Sequence, residues 1–121
     1  MDPQIANALE HDRVIDITTK GRKSGQPRKI EIWFHNVDGQ IYITGTPGTR
    51  DWYANMVENN AITFHLKQSA QVDIPATVEP ITEPEARWPI LKQITSRVGH
   101  ADDIDRWMTD SPLVRVHLKL D

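Results

Sequence analysis

The 121-residue chain contains no cysteine, which excludes disulfides, thiolate metal sites and cysteine nucleophiles at once. No apolar run is long enough for a helical membrane span. The first ten residues carry Asp2 and Glu10 and neither a basic n-region nor an apolar h-region, so no secretory leader is expected and the predicted location is cytoplasmic. Positive charge is not in excess either: 14 Lys and Arg stand against 17 Asp and Glu, a net charge of −3, whereas nucleic-acid binders usually carry a strongly basic face. The five histidines are scattered singly, without i, i+4 spacing or a linked carboxylate, so no metal site is expected. No serine stands in a nucleophile-elbow context. Phe and Tyr are scarce at two each, yet there are four Trp.

Against this background, five cations fall within residues 18–29, in Thr18-Thr19-Lys20-Gly21-Arg22-Lys23-Ser24-Gly25-Gln26-Pro27-Arg28-Lys29. Two glycines let the backbone turn tightly and aim N–H groups inward, and Ser24 adds a hydroxyl. Such a turn suits a phosphate or a polycarboxylate. On spacing alone the same run also serves as a solvated hairpin turn whose charges blunt a sheet edge.

Hydrophobic periodicity predicts one domain over 1–121, with residues 1–12 a short N-terminal helix or arm. Period-two alternation predicts strands over 14–19, 28–35, 40–44, 61–68, 72–81 and 114–120. Asp38-Gly39 should close a hairpin between the second and third of these, and Pro75 and Pro80 mark the fifth as an edge or bulged strand. The loop Gly45-Thr46-Pro47-Gly48-Thr49-Arg50 feeds a helix opened by Asp51, a second place where an anion is favoured. Thr82-Glu83-Pro84-Glu85 has the form of a capping box before a helix that Gly99 ends, with a kink or loosened first turn expected at Pro89. A short helix follows over 101–109. Together these elements predict a mainly β fold, a six-stranded antiparallel barrel with flanking helices.

Trp88 and Trp107 fall on helical apolar faces and read as core. Trp33 occupies the phase opposite Ile32 and Phe34, so it faces a docked helix, a partner subunit or a flat ligand; Trp52, just after the glycine loop, could wall the same site. Among the histidines only His100, in the connection between the last two helices, sits where a proton donor could overhang a pocket. Its plain alternative is an ordinary polar loop residue.

The run from Thr18 to Arg28 resembles the threonine-rich, Gly-Arg-Lys-Ser/Thr-Gly-x-Pro-Arg signature of the deazaflavin-dependent nitroreductase family. The likeness continues through residues 51–60, 87–91 and 107–116. It implies a split β-barrel related to flavin-binding pyridoxamine-phosphate oxidases. It also implies coenzyme F-420, an 8-hydroxy-5-deazaflavin, as the hydride donor to a small-molecule acceptor such as a quinone, an enone or a nitro compound. By the family pattern Arg22, Lys23, Ser24, Gly25 and Arg28 would hold the phosphate and acidic tail. Gly45, Thr46, Pro47 and Gly48 would line the ring and linker, with Trp52 and Asn55 nearby. FMN is the alternative cofactor, a non-enzymatic carrier of a cofactor or apolar ligand the alternative role, and a homodimer is compatible with both. Two departures stand out: Pro47 lies where a lysine is common, and residues 91–107 lack the tyrosines of nitro-reducing relatives. His100 is then the side chain left in that segment to supply a proton, and a quinone or enone is favoured over a nitro compound.

Overall fold

The alternation that begins at Val14 does build strands, and the computed structural model, which describes residues 1–120, shows how they curl. In chain order the elements are α1 (Pro3–His11), β1 (Val14–Lys20), β2 (Pro27–Trp33), β3 (His35–Val37), β4 (Gln40–Thr44), α2 (Asp51–Glu58), β5 (Ala61–Leu66), β6 (Val72–Pro80), α3 (Pro84–Val98), a 3-10 turn (Ala101–Asp103), α4 (Ile104–Asp110) and β7 (Leu113–Leu118). All strands join one antiparallel sheet in the order β2-β1-β5-β6-β7-β4-β3. β2 and β3 therefore occupy opposite edges although Phe34 alone separates them. The sheet must curl until its edges approach, which makes it a split barrel with helices outside. Among the described residues no helix is long and apolar enough to cross a membrane.

This closure explains why seven strands appear where six were expected. The expected strand over 28–35 breaks at Phe34, whose N–H donates to the Arg13 carbonyl at 3.0 Å. Its ring is 2 % exposed and meets Phe64 edge-on at 5.4 Å. The Asp38-Gly39 hairpin does form, with φ of 53° and 85°, as a mirror-image tight turn requires. It joins β4 to the three-residue β3 rather than to the long strand before it. The interior is filled by the inward phase of the strands, including Ile15, Ile17, Ile43, Phe64 and Val114, and by Met56 from α2, all fully buried.

β6 is a central strand, not an edge, despite its two prolines. Backbone groups of alternate residues point to alternate neighbours. The Pro75 carbonyl accepts from Lys119 N at 2.9 Å, past the end of β7, while Val78 N donates to Asn60 O on the β5 side. The missing N–H of Pro75 thus faces the frayed end of β7. That of Pro80 faces the β5 side beyond Ala61, where no ladder partner stands. Each proline thus stays in register with one neighbour, Pro75 with Thr63 and Pro80 with Val114, while its missing N–H faces the side on which the ladder has run out.

The second layer packs α3 and α4 over β3, β4 and β7 through Tyr42, Ile90, Leu91, Ile94, Trp107 and Leu113. The capping box does not form: Glu83 is the N-cap without a side-chain bond, and Pro84 at the first position supplies the pre-set φ instead. The first turn closes through a shared acceptor, with Ala86 N and Arg87 N both donating to the Glu83 carbonyl. The helix then runs unbroken through Pro89 and ends on Gly99 at φ 81°. Trp88, expected in the core, is 44 % exposed, while Arg87 beside it is 7 % exposed. Arg87 donates to the carbonyls of Ile81, Trp107, Met108 and Ser111 at 2.7–3.0 Å. Three of those carbonyls belong to the end of α4, where the helix dipole favours a cation. Burial lowers the Arg87 pKa.

Where the barrel edges meet, His35 borders a cavity with Arg13, Trp33 and Arg97. Burial, reinforced by the charges of Arg97 and Arg13, pushes its pKa down to about 4. A lowered histidine pKa means that the unfolded chain binds the proton more readily between the two values. Stability should be full above about pH 6.5, fall as the pH drops towards about 4, and level off below that. We expect a loss on the order of 2 kcal/mol between about pH 7 and 4.5 by urea unfolding, and a His35→Gln variant that lacks most of that slope. An equal slope in the variant would assign the pH dependence to other groups.

Candidate functional site

The basic turn is a continuation of the β1–β2 ladder. Past the Lys20–Pro27 pair, Gly21 N donates to Gln26 O and Gly25 N to Gly21 O, each at 2.8 Å. Gln26 N donates to Ser24 Oγ at 3.2 Å. A Cβ on Gly21 would lie 2.6 Å from Ser24 Oγ and 3.2 Å from Gln26 O, so close approach, rather than positive φ, is what demands glycine there. Gly25 has the positive φ, 70°.

Asn55, 4 % exposed on α2, fastens this turn to the helix. Its Oδ1 accepts from Arg22 N at 3.1 Å and Arg22 Nη1 at 3.0 Å, and its Nδ2 donates to Thr19 Oγ1 at 3.1 Å. Arg22 Nη2 also reaches Asp51 Oδ1 at 3.2 Å, but Asp51 is 92 % exposed, so that pair adds little. The turn and the start of α2 thereby enclose a cleft of about 490 Å³. Arg22, Lys23, Ser24 and Arg28 line it together with Ile30, Trp52 and Asn55, and Thr19, Gly21 and Asp51 complete the lining.

The structure thus brings together Arg22, Lys23, Ser24, Arg28, Trp52 and Asn55. Their states differ. Arg22 is committed to α2, whereas Lys23 and Arg28 have no carboxylate within ion-pair distance among the described residues. Gly25 faces the other side of the turn, with Thr18, Lys20 and Thr63. Gly45, Thr46, Pro47 and Gly48 do not border the cleft. Their loop closes around Arg50, whose Nη2 donates to Thr46 O and Oγ1 at 2.9 and 3.0 Å, and Gly48 N donates to Asp110 O at 3.1 Å. Gly48 borders a separate cavity with Tyr53, Arg87 and Ser111, on the opposite face of α2. His100 lies with the helical layer, its Nδ1 3.2 Å from Asp103 Oδ2 and its ring 5.4 Å from Trp107. Trp33 is not at the cleft; it lies on the outer surface, under the Arg13 guanidinium at 5.9 Å.

Three residues of the cleft were not legible beforehand. Thr19, Ile30 and Asp51 read as ordinary strand and helix-start residues, and only their juxtaposition puts them on one wall. The sequence also hid a cross-strand polar line: Thr18 Oγ1 to His65 Nε2 and His65 Nδ1 to Asp73 Oδ1, both 2.7 Å. Because Thr18 and Thr19 point to opposite faces of β1, this line belongs to the outer face and not to the cleft. Replacing Asn55 with leucine should leave the Arg22 N–H and Thr19 hydroxyl without their partner. We expect a destabilisation of roughly 2–4 kcal/mol in urea unfolding, against a smaller loss for Thr19→Val. Equal stability of Asn55→Leu and the parent would show that the turn holds its place without the clamp.

Residues 1–117 match the family described as F420H(2)-dependent quinone reductase. Among solved structures, the chain is similar to a conserved hypothetical protein from Mycobacterium tuberculosis, with TM-score 0.76 and 19 % identity over 99 % of this chain and 81 % of that one. A protein from Listeria innocua assigned as a pyridoxamine 5'-phosphate oxidase gives TM-score 0.70 and 10 % identity over 97 % and 92 %. An F420-H2-dependent reductase gives TM-score 0.66 and 19 % identity over 88 % and 95 %. At these identities the structures speak for the fold, the split barrel that the strand order requires. The family match, running from the first residue through nearly all of β7, speaks for more: the chain belongs to the F420H(2)-dependent quinone reductase family.

Proposed function

We propose that this protein is a cytoplasmic reductase that binds coenzyme F-420 in the cleft between the basic turn and α2 and passes a hydride to a quinone or an enone. The observation that carries this reading is the division of the cleft lining: the uncommitted cations Lys23 and Arg28 stand with the hydroxyl of Ser24, and Ile30 and the indole of Trp52 share the same cavity. A ligand with an acidic tail and a flat ring fits that division. The residues present therefore suit the coenzyme, with Lys23, Ser24 and Arg28 holding its phosphate and carboxylates and Trp52 meeting its apolar part. Bound there, the deazaflavin supplies two-electron hydride chemistry, because carbon replaces the ring nitrogen at which a flavin reacts.

The protein's own part is to bind and orient. Arg22 contributes by holding the turn against α2 through Asn55, so its loss would act through the fold as well as through charge. Gly45 to Gly48 would contribute through Arg50 and the start of α2. In this reading water supplies the proton that accompanies the hydride, since His100 is turned towards Asp103 and Trp107 and does not border the cleft.

Lys23→Ala combined with Arg28→Ala should weaken F-420 binding by roughly 2–4 kcal/mol, read from tryptophan quenching, with a smaller difference at high salt. Unchanged affinity in a folded double variant would overturn the cleft as the coenzyme site. Parallel titration with FMN separates the two ring systems: tighter FMN binding would favour the flavin. For the proton, His100→Ala should keep quinone or enone turnover within about twofold of the parent from about pH 5.5 to 8. A tenfold or larger loss at unchanged coenzyme affinity would restore His100 as the donor.

A further inference from the structure

β2 is the one long strand with a partner on one side only. Both of its ends show which way its backbone faces: Gln26 O accepts from Gly21 N, and Phe34 N donates to Arg13 O. Even-numbered residues therefore direct their backbone groups at β1, and Lys29, Glu31 and Trp33 direct theirs outward. The strand is exposed along its length except for half-buried Ile32. It carries two large apolar side chains left in solvent, Ile30 at 37 % and Trp33 at 48 %. An edge of this kind is a template for another strand.

We propose that the occupant is β2 of a second copy of this chain, paired antiparallel about a two-fold axis at Ile30. Isologous pairing matches residues whose numbers have a constant sum, and hydrogen-bonded pairs need both members to face outward. With the axis at Ile30, Lys29 stands opposite the second copy's Glu31, and the same contact recurs across the axis. Trp33 meets Pro27, the one position in the register with no N–H to donate, and the two Ile30 side chains cover each other. Shifting the axis to Glu31 would set that carboxylate against itself and Lys29 against Trp33. Charge complementarity thus selects the first register. Lys29 makes no ion pair among the described residues, while Glu31 pairs with Lys67 on the same face. Pairing would continue the sheet of one copy into the other through about six backbone hydrogen bonds. Because Arg28 and Ile30 also line the cleft, the two clefts would lie next to each other across the axis.

The test is sedimentation velocity of the full chain at several concentrations, with circular dichroism to confirm folding. The parent should dimerise. Lys29→Glu and Glu31→Lys should each weaken the dimer at least about tenfold, and the double exchange Lys29→Glu/Glu31→Lys should restore it to within about threefold of the parent. Ile30→Arg, at the axis, should give a folded monomer. A parent that remains monomeric at about 100 μM, or single and double exchanges that dimerise alike, would overturn the proposal. Coenzyme binding is not read in this experiment, so its outcome is independent of the function assigned to the cleft.

Discussion

A single residue, Phe34, links the two opposite edges of the sheet, and that constraint forces the curl on which everything else depends. A flat seven-stranded sheet would hold β2 and β3 many strand spacings apart, each about 4.8 Å. With one residue between them the edges have to meet, and the inward side chains of β1, β5, β6, β7 and β4 then face one another across a closed interior. Phe34 takes part in that interior, packed on Phe64. The cost of closure appears at the seam, where His35 is held neutral between Arg13 and Arg97 and Trp33 is left outside.

The helical layer is held by a different device. Arg87 is a buried cation with no carboxylate partner among the described residues, satisfied by four backbone carbonyls. The last carbonyls of a helix have few or no partners within it, and the guanidinium meets three at the end of α4 at once: those of Met108 and Ser111, and that of Trp107, which also accepts from Ser111 N. This ties α3, α4 and the end of β6 into one unit over β7. It also sets how α3 is rotated: with Arg87 inward, Trp88 turns out.

The cleft depends on both devices. The closed barrel places β1 and β2 so that the basic turn hangs beside α2, and Asn55 converts that neighbourhood into a fixed distance. Of the three cations that the turn brings to the cleft, one is used to build the site and two are left to serve it. The separation matters for the function proposed, because a charge already neutralised by the fold offers less to an anionic ligand than one held near it without a partner.

The sequence by itself determined the strands, the basic turn and the family. Each is written in local terms: β-branched alternation at Val14, Ile15, Ile17 and Thr19, glycines at positions 21 and 25, and a motif carried by consecutive residues. Tertiary structure decided what local pattern cannot encode. The break at Phe34 follows from a bond to Arg13, and the central place of β6 follows from where its neighbours end, since its prolines read locally as an edge. Arg87 went in and Trp88 out because four carbonyls from distant segments converged on one position. The glycine loop was pulled away from the cleft by Arg50 and Asp110, and Trp33 was left on the surface by closure. In each case the deciding partner is far along the chain or belongs to the backbone, and neither leaves a mark in residue spacing.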